Sequence, residues 1–144
     1  MRRSCLLALF SSLLLSGCGR TPSAPVDESV YVDALNEGVG LMGRFEFEAA
    51  GEAFARAVEM RPQALVPRLD AGISILNRSD DDAQIIALER FRTLLKEHPL
   101  NPRVNYCAAL ALQYLGRPDE AMVHLEIVLE QAPDDAYGTY FLAQ

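Results

Sequence analysis

Basic residues are the scarcer charged class in this chain. Only 13 Lys and Arg stand against 20 Asp and Glu, for a formal net charge of −7. Binding nucleic acid requires Lys and Arg gathered to neutralise phosphates, and no such cluster occurs. Tryptophan is absent, histidine occurs twice and cysteine three times. Cys5, Cys18 and Cys107 make no CxxC and no Cys/His ligand spacing, which excludes a zinc site and a redox pair. His98 and His124 have no second ligand or nucleophile near them in sequence, and no glycine loop is present to cradle phosphate. The acidic run Asp80-Asp81-Asp82 lacks the alternating ligands, turn glycine and distal glutamate of a calcium loop, so it reads as a solvated helix cap. The expectation is therefore no catalytic residue, no metal and no cofactor. Beyond the N-terminus no apolar run is long enough to span a bilayer.

The chain does have a marked N-terminus. Met1-Arg2-Arg3 is a basic start, and Ser4 to Leu15 is an apolar stretch too short to cross a membrane as a helix. Leu15-Ser16-Gly17-Cys18 follows: an apolar residue, two small ones and a thiol. This combination resembles the bacterial lipoprotein signal. The resemblance implies cleavage before Cys18, lipidation of that thiol, and a mature protein anchored on the exported side of a membrane. Loss of Arg2 and Arg3 with such a leader takes the charge from −7 to −9. It also leaves only Cys18 and Cys107, which excludes a disulfide framework. Gly19 after the cysteine resembles outer-membrane sorting in a cell with two membranes. The segment 18–29, rich in small and polar residues with Pro22 and Pro25, reads as a tether.

From Val30 the sequence repeats itself. Ala50, Phe54, Ala57 and Pro62 recur as Ala87, Phe91, Leu94 and Pro99, then as Ala121, Leu125, Val128 and Pro133, in steps of 37 and 34. Gly38, Gly72 and Ala109 step by 34 and then 37. The two series disagree once, which places a three-residue insertion in the turn Asn77 to Asp82, a polar cluster suited to capping the next helix with side-chain oxygens. The amphipathic spacing predicts helices at about 30–43, 46–60, 65–78, 82–97, 102–115, 118–131 and 135–143. Proline stops each second helix, and Pro118 sits where a helix start tolerates it. The small residues allow close helix approach, with Phe54, Phe91 and Leu125 expected to fill the space against the following repeat.

The stretch Asn101 to Asp134 carries a resemblance to a known family. Ala109, Leu112, Gly116, Pro118, Ala121, Leu125, Val128 and Pro133 fall where a tetratricopeptide repeat has small, apolar or helix-breaking residues. The resemblance implies an all-α, right-handed α-α superhelix of three hairpins, about 31–63, 65–100 and 102–134. The segment 135–144 would be the start of a fourth. A signal segment 1–17 and tether 18–29 would precede a repeat domain over 30–144.

By the family's register, the concave face takes Val32, Leu35, Val39 and Met42 from the first leading helix. Leu69, Ile73 and Leu76 come from the second, and Arg103, Tyr106, Leu110, Gln113 and Tyr114 from the third. Asn36, Asp70 and Asn77 lie beside this stripe as candidates for hydrogen bonds to a peptide backbone. The implied function is a membrane-anchored scaffold that recruits an envelope protein or peptide through an apolar groove. Two alternatives stay open. The stripe could bury itself, the tether or the tail. The apolar tail Tyr137 to Gln144 could pair with a second copy, cap the stack, or mark a longer array cut short.

Overall fold

A computed structural model describes residues 27–134 and Thr139. Within them the chain forms helices α1 (Glu28–Gly43), α2 (Phe47–Met60), α3 (Leu65–Leu76), α4 (Ala83–Glu97), α5 (Pro102–Tyr114) and α6 (Pro118–Gln131). No strand occurs among the described residues. Each helix packs on the next in sequence, and α3 also touches α5. The odd-numbered helices thus form one layer and the even-numbered helices the other, an all-α superhelix of three hairpins. The expected seventh helix, 135–143, lies outside the described residues except for Thr139, which is helical.

The boundaries follow local chemistry. Asp27 caps α1, its carboxylate accepting from the Ser29 backbone N–H at 3.0 Å and the Ser29 hydroxyl at 2.7 Å. The helix therefore begins inside the segment 18–29 expected to be a tether, because an Asp followed by Glu28 is a strong helix start. Asn101 caps α5 in the same way, accepting from Val104 N–H at 3.2 Å, with Pro102 in the first turn. The even helices all end alike: Arg61, His98 and Ala132 leave the helical region with φ between −134° and −142°. Each precedes a proline, whose ring disfavours the helical conformation in the residue before it.

The turn α3–α4 runs over 77–82, whereas α1–α2 and α5–α6 need only 44–46 and 115–117. The three-residue insertion is therefore where the offset in the repeats placed it. Its capping role is different from the expectation. Asp82, the N-cap of α4, makes no side-chain cap. Instead the backbone carbonyls of Asp80 and Asp82 accept from Ala83 and Ile86 N–H, while the Asp80 carboxylate pairs with Arg78. Asn77 turns back, its Nδ2 donating to Ile73 O at 2.8 Å. With Asp82 near the helical region rather than extended, its carboxylate is not aimed at the next turn's N–H groups.

The two short turns share a Schellman closure. Glu46 N–H reaches Leu41 O at 3.0 Å, and Arg117 N–H reaches Leu112 O at 2.9 Å. Both need a left-handed residue: Gly116 has φ 68°, and Phe45 has φ 62°. Phe45 holds this conformation with a ring 79% exposed, touching only the edge of Phe47 at 6.1 Å between centroids among ring contacts.

The core is built on close approach inside each hairpin. Phe54 and Phe91 are 1% and 0% exposed, and burying such a ring contributes about 1.5–3 kcal/mol. Each ring lies on a glycine of its own leading helix. A Cβ on Gly38 would stand 2.4 Å from Phe54 Cε1, and one on Gly72 would stand 2.6 Å from Phe91 Cε1. Each ring also belongs to a core cluster that reaches the following repeat, Phe54 with Ala71 and Phe91 with Val104 and Ala108, so it fills that gap as expected while closing its own hairpin. In the third hairpin the equivalent positions are Ala109 and Leu125, both in the main core cluster: a larger residue on the first helix, a smaller one on the second.

A buried polar link joins the second and third hairpins. Asn105, 0% exposed, donates through Nδ2 to Pro99 O at 2.9 Å and Asn101 O at 3.0 Å. Its Oδ1 can only accept, so His124 Nδ1, 2.9 Å away, is the donor.

Two outcomes test this packing. Gly38→Ala is expected to destabilise the fold by about 1 kcal/mol in urea titrations, since overpacking of ~1–3 kcal/mol exceeds the ~1 kcal/mol gained in helix propensity. Adding Phe54→Leu, which recreates the Ala109/Leu125 pairing, should restore most of that loss; simple additivity of the two changes would contradict the account. Separately, Phe45→Gly should stabilise by roughly 0.5–1 kcal/mol, because relief of the left-handed strain outweighs one exposed ring contact.

Candidate functional site

Because α1, α3 and α5 form one layer, side chains spaced one turn apart on each converge on its open face. Two cavities lie there and run into each other through Ile73 and Arg103, which line both. The smaller, ≈220 Å³, is walled by Val39, Met42, Phe54 and Asp70. The larger, ≈480 Å³, is walled by Leu76, Asn77, Pro102, Tyr106, Cys107, Leu110, Val128 and Ala132. Together they form one trough crossing the three leading helices.

The structure brings together Val39, Met42, Asp70, Ile73, Leu76, Asn77, Arg103, Tyr106 and Leu110 from the stripe expected on this face and the polar residues beside it. Others stand apart. Leu69 is 1% exposed within the core cluster and offers nothing to a ligand. Leu35 packs against the first hairpin's core, while Asn36, Gln113 and Tyr114 line neither cavity. Tyr114 is 59% exposed near the turn. Cys18 and the tail Tyr137 to Gln144, Thr139 apart, lie outside the described residues.

Sequence reasoning missed Phe54, Pro102, Cys107, Val128 and Ala132 as trough residues. Cys107 follows Arg103 by one turn, and Val128 and Ala132 are one turn apart at the end of α6, so helical spacing could have found them.

Among the described residues the trough is mostly apolar, with Asn77 and Tyr106 as polar groups in the larger cavity and one ion pair between the two cavities. Arg103 Nη2 stands 3.8 Å from Asp70 Oδ1, with side chains 64% and 19% exposed. Burial pushes the Asp70 carboxyl above the usual carboxylate range, and Arg103 offsets this only in part. Burial and the nearby Asp70 likewise push the Cys107 thiol up to about 11. At neutral pH that thiol is a protonated packing group, not a nucleophile.

The outer surface offers a contrast. A cavity of ≈670 Å³ between α2, α3 and α4 is larger, but charged groups line it: Glu48, Glu52, Glu59, Arg78 and Arg90. Volume alone would favour it. Convergent apolar walls around few polar groups favour the concave trough. Among the described residues no three His, Cys, Asp or Glu converge to hold a metal. No helix there is long and apolar enough to cross a membrane.

Three comparisons bear on this arrangement. Residues 87–144 match the family profile for the tetratricopeptide repeat. Among solved structures, the second tetratricopeptide domain of the human RPAP3 protein, determined by NMR in complex with the HSP70 peptide SGPTIEEVD, is similar with a TM-score of 0.69. The likeness covers 80% of this chain and 93% of that one at 16% sequence identity, and establishes the fold. No curated protein matches the chain in sequence.

A carboxylate kept charged against burial costs stability at neutral pH. The sign follows from the raised folded-state pKa of Asp70: the folded state holds its proton to higher pH than the unfolded chain does, so the penalty vanishes in acid. Asp70→Asn is therefore expected to raise the thermal midpoint at pH 7. That advantage should shrink as pH falls through the raised folded-state value and be gone below the unfolded Asp value of about 3.9. A midpoint lowered by Asp70→Asn at pH 7 would show the ion pair to be a net stabiliser.

Proposed function

We propose that this chain is a lipid-anchored scaffold of the bacterial cell envelope that binds a segment of a partner protein in the trough across α1, α3 and α5. The observation that carries the reading is the trough itself: mostly apolar walls from three successive leading helices, with one ion pair between its two cavities. A soluble domain keeps such a surface open at the expense of burial, which marks it for an interaction. The similar human domain was solved with a peptide, which supports a peptide or protein partner here. The anchor rests on the leader and on Leu15-Ser16-Gly17-Cys18. One acyl chain holds a protein only marginally on a membrane, whereas two or more hold it stably. The envelope location, with the outer membrane as its site in a two-membrane cell, follows from that signal.

The test uses the full chain expressed in a bacterium with a photo-crosslinking residue at Leu110 in the trough or at Val123, which is 57% exposed and lines neither cavity. A discrete adduct is expected from Leu110 and not from Val123, and Ile73→Glu should abolish it. In the same cells Cys18→Ser should remove palmitate labelling and release the protein from membranes. Equal adducts from both positions would refute the trough, and membrane retention of Cys18→Ser would refute the anchor.

A further inference from the structure

The ion pair divides the trough, and from this we infer the class of segment that fits. It is an extended, uncharged peptide whose backbone amide lies over Arg103 and Asp70, with apolar side chains in the two cavities. This rests on the trough being the docking surface. An amide offers a carbonyl acceptor and an N–H donor in one neutral unit. The Arg103 guanidinium donates and the Asp70 carboxylate accepts, 3.8 Å apart, so the pair complements a peptide group without demanding charge. The space on either side is unequal. The ≈220 Å³ cavity at Val39 and Met42 suits a small or medium side chain, and the ≈480 Å³ cavity at Tyr106 and Leu110 a larger one.

Charge argues against an acidic ligand. Among the described residues Arg103 is the one basic residue lining either cavity, and its nearest charge is already a carboxylate. Other arginines are engaged by acids elsewhere: Arg56 with Glu37, Arg68 with Glu97 and Arg117 with Glu120. A peptide such as SGPTIEEVD brings three acidic side chains and a terminal carboxylate towards a chain of net charge −7. Long-range repulsion and the want of a second cation both oppose it. Fold and peptide preference are thus separable: similarity to a domain solved with that peptide does not carry its ligand across.

The experiment measures fluorescence anisotropy of two labelled nonapeptides with the purified full chain at 0.15 M salt. One is SGPTIEEVD; the other is its C-terminally amidated analogue with both glutamates changed to leucine and the aspartate to asparagine. The neutral analogue is expected to bind at least about tenfold more tightly. Ile73→Glu should weaken it by a similar factor. The double variant Arg103→Leu/Asp70→Leu leaves no orphaned charge and makes the trough more apolar. Amide recognition predicts weaker binding of the neutral analogue to it, whereas a merely greasy trough predicts tighter binding. Preference for SGPTIEEVD, tighter binding by the double variant, or no binding of the neutral analogue up to about 1 mM overturns the inference. Binding of SGPTIEEVD that Ile73→Glu abolishes would leave the trough as docking surface intact. Insensitivity of every peptide to Ile73→Glu would remove the trough itself.

Discussion

In each of the first two hairpins a phenylalanine ring rests on a stretch of helix with no Cβ to meet it. Phe54 on Gly38 and Phe91 on Gly72 let the two helices of a hairpin approach to a distance that any larger residue would forbid. The third hairpin reaches a comparable volume with Ala109 and Leu125. This conserved sum, large on one helix against small on the other, fixes how each pair stands. The second and third pairs then bury the remaining stripe through one cluster running from Leu69 to Leu125, and the first pair meets α3 through a smaller cluster that includes Ala71. The odd helices come out side by side as a consequence.

The same contact shapes the proposed recognition surface. Phe54 belongs to α2, yet it lines the smaller concave cavity alongside Val39 and Met42 of α1. The core and the trough share a wall, so the geometry of the trough is set by packing rather than by loops. What is left exposed on that wall costs the fold something. Val39 is 61% exposed, and Asp70 keeps a carboxylate where burial opposes its charge. Nothing in the packing of α3 requires an acid at that place. Polar groups maintained against stability are characteristic of surfaces kept for a ligand.

Much of the architecture was legible because helix ends in this chain are written in residues with one mechanical meaning. Pro62, Pro99 and Pro133 stop the even helices, and the disagreement between two marker series located the longer turn at 77–82. Local signals were misjudged where two meanings competed. Asp27 reads as part of a polar tether until its carboxylate is seen capping Ser29, and the acidic run at 80–82 reads as a side-chain cap although its backbone does the capping. Register along each leading helix found most of the trough. It could not separate Leu69 from Ile73, since the two differ in which neighbour covers them, a property of the stack and not of the helix. Long-range pairings were beyond reach for the same reason: nothing near His124 in sequence announces Asn105, and nothing near Asp70 announces Arg103.

The central claim is that recognition takes place on the concave layer and nowhere else on the domain. Methyl-resolved NMR of the full chain, with isotope-labelled isoleucine, leucine and valine, addresses it directly during titration with the uncharged nonapeptide. The account predicts progressive shifts at Val39, Ile73 and Leu110, and unmoved signals at Ile85 and Val123, which are exposed but line neither cavity. Shifts confined to Ile85 and Val123, with the three trough residues unmoved, would contradict it.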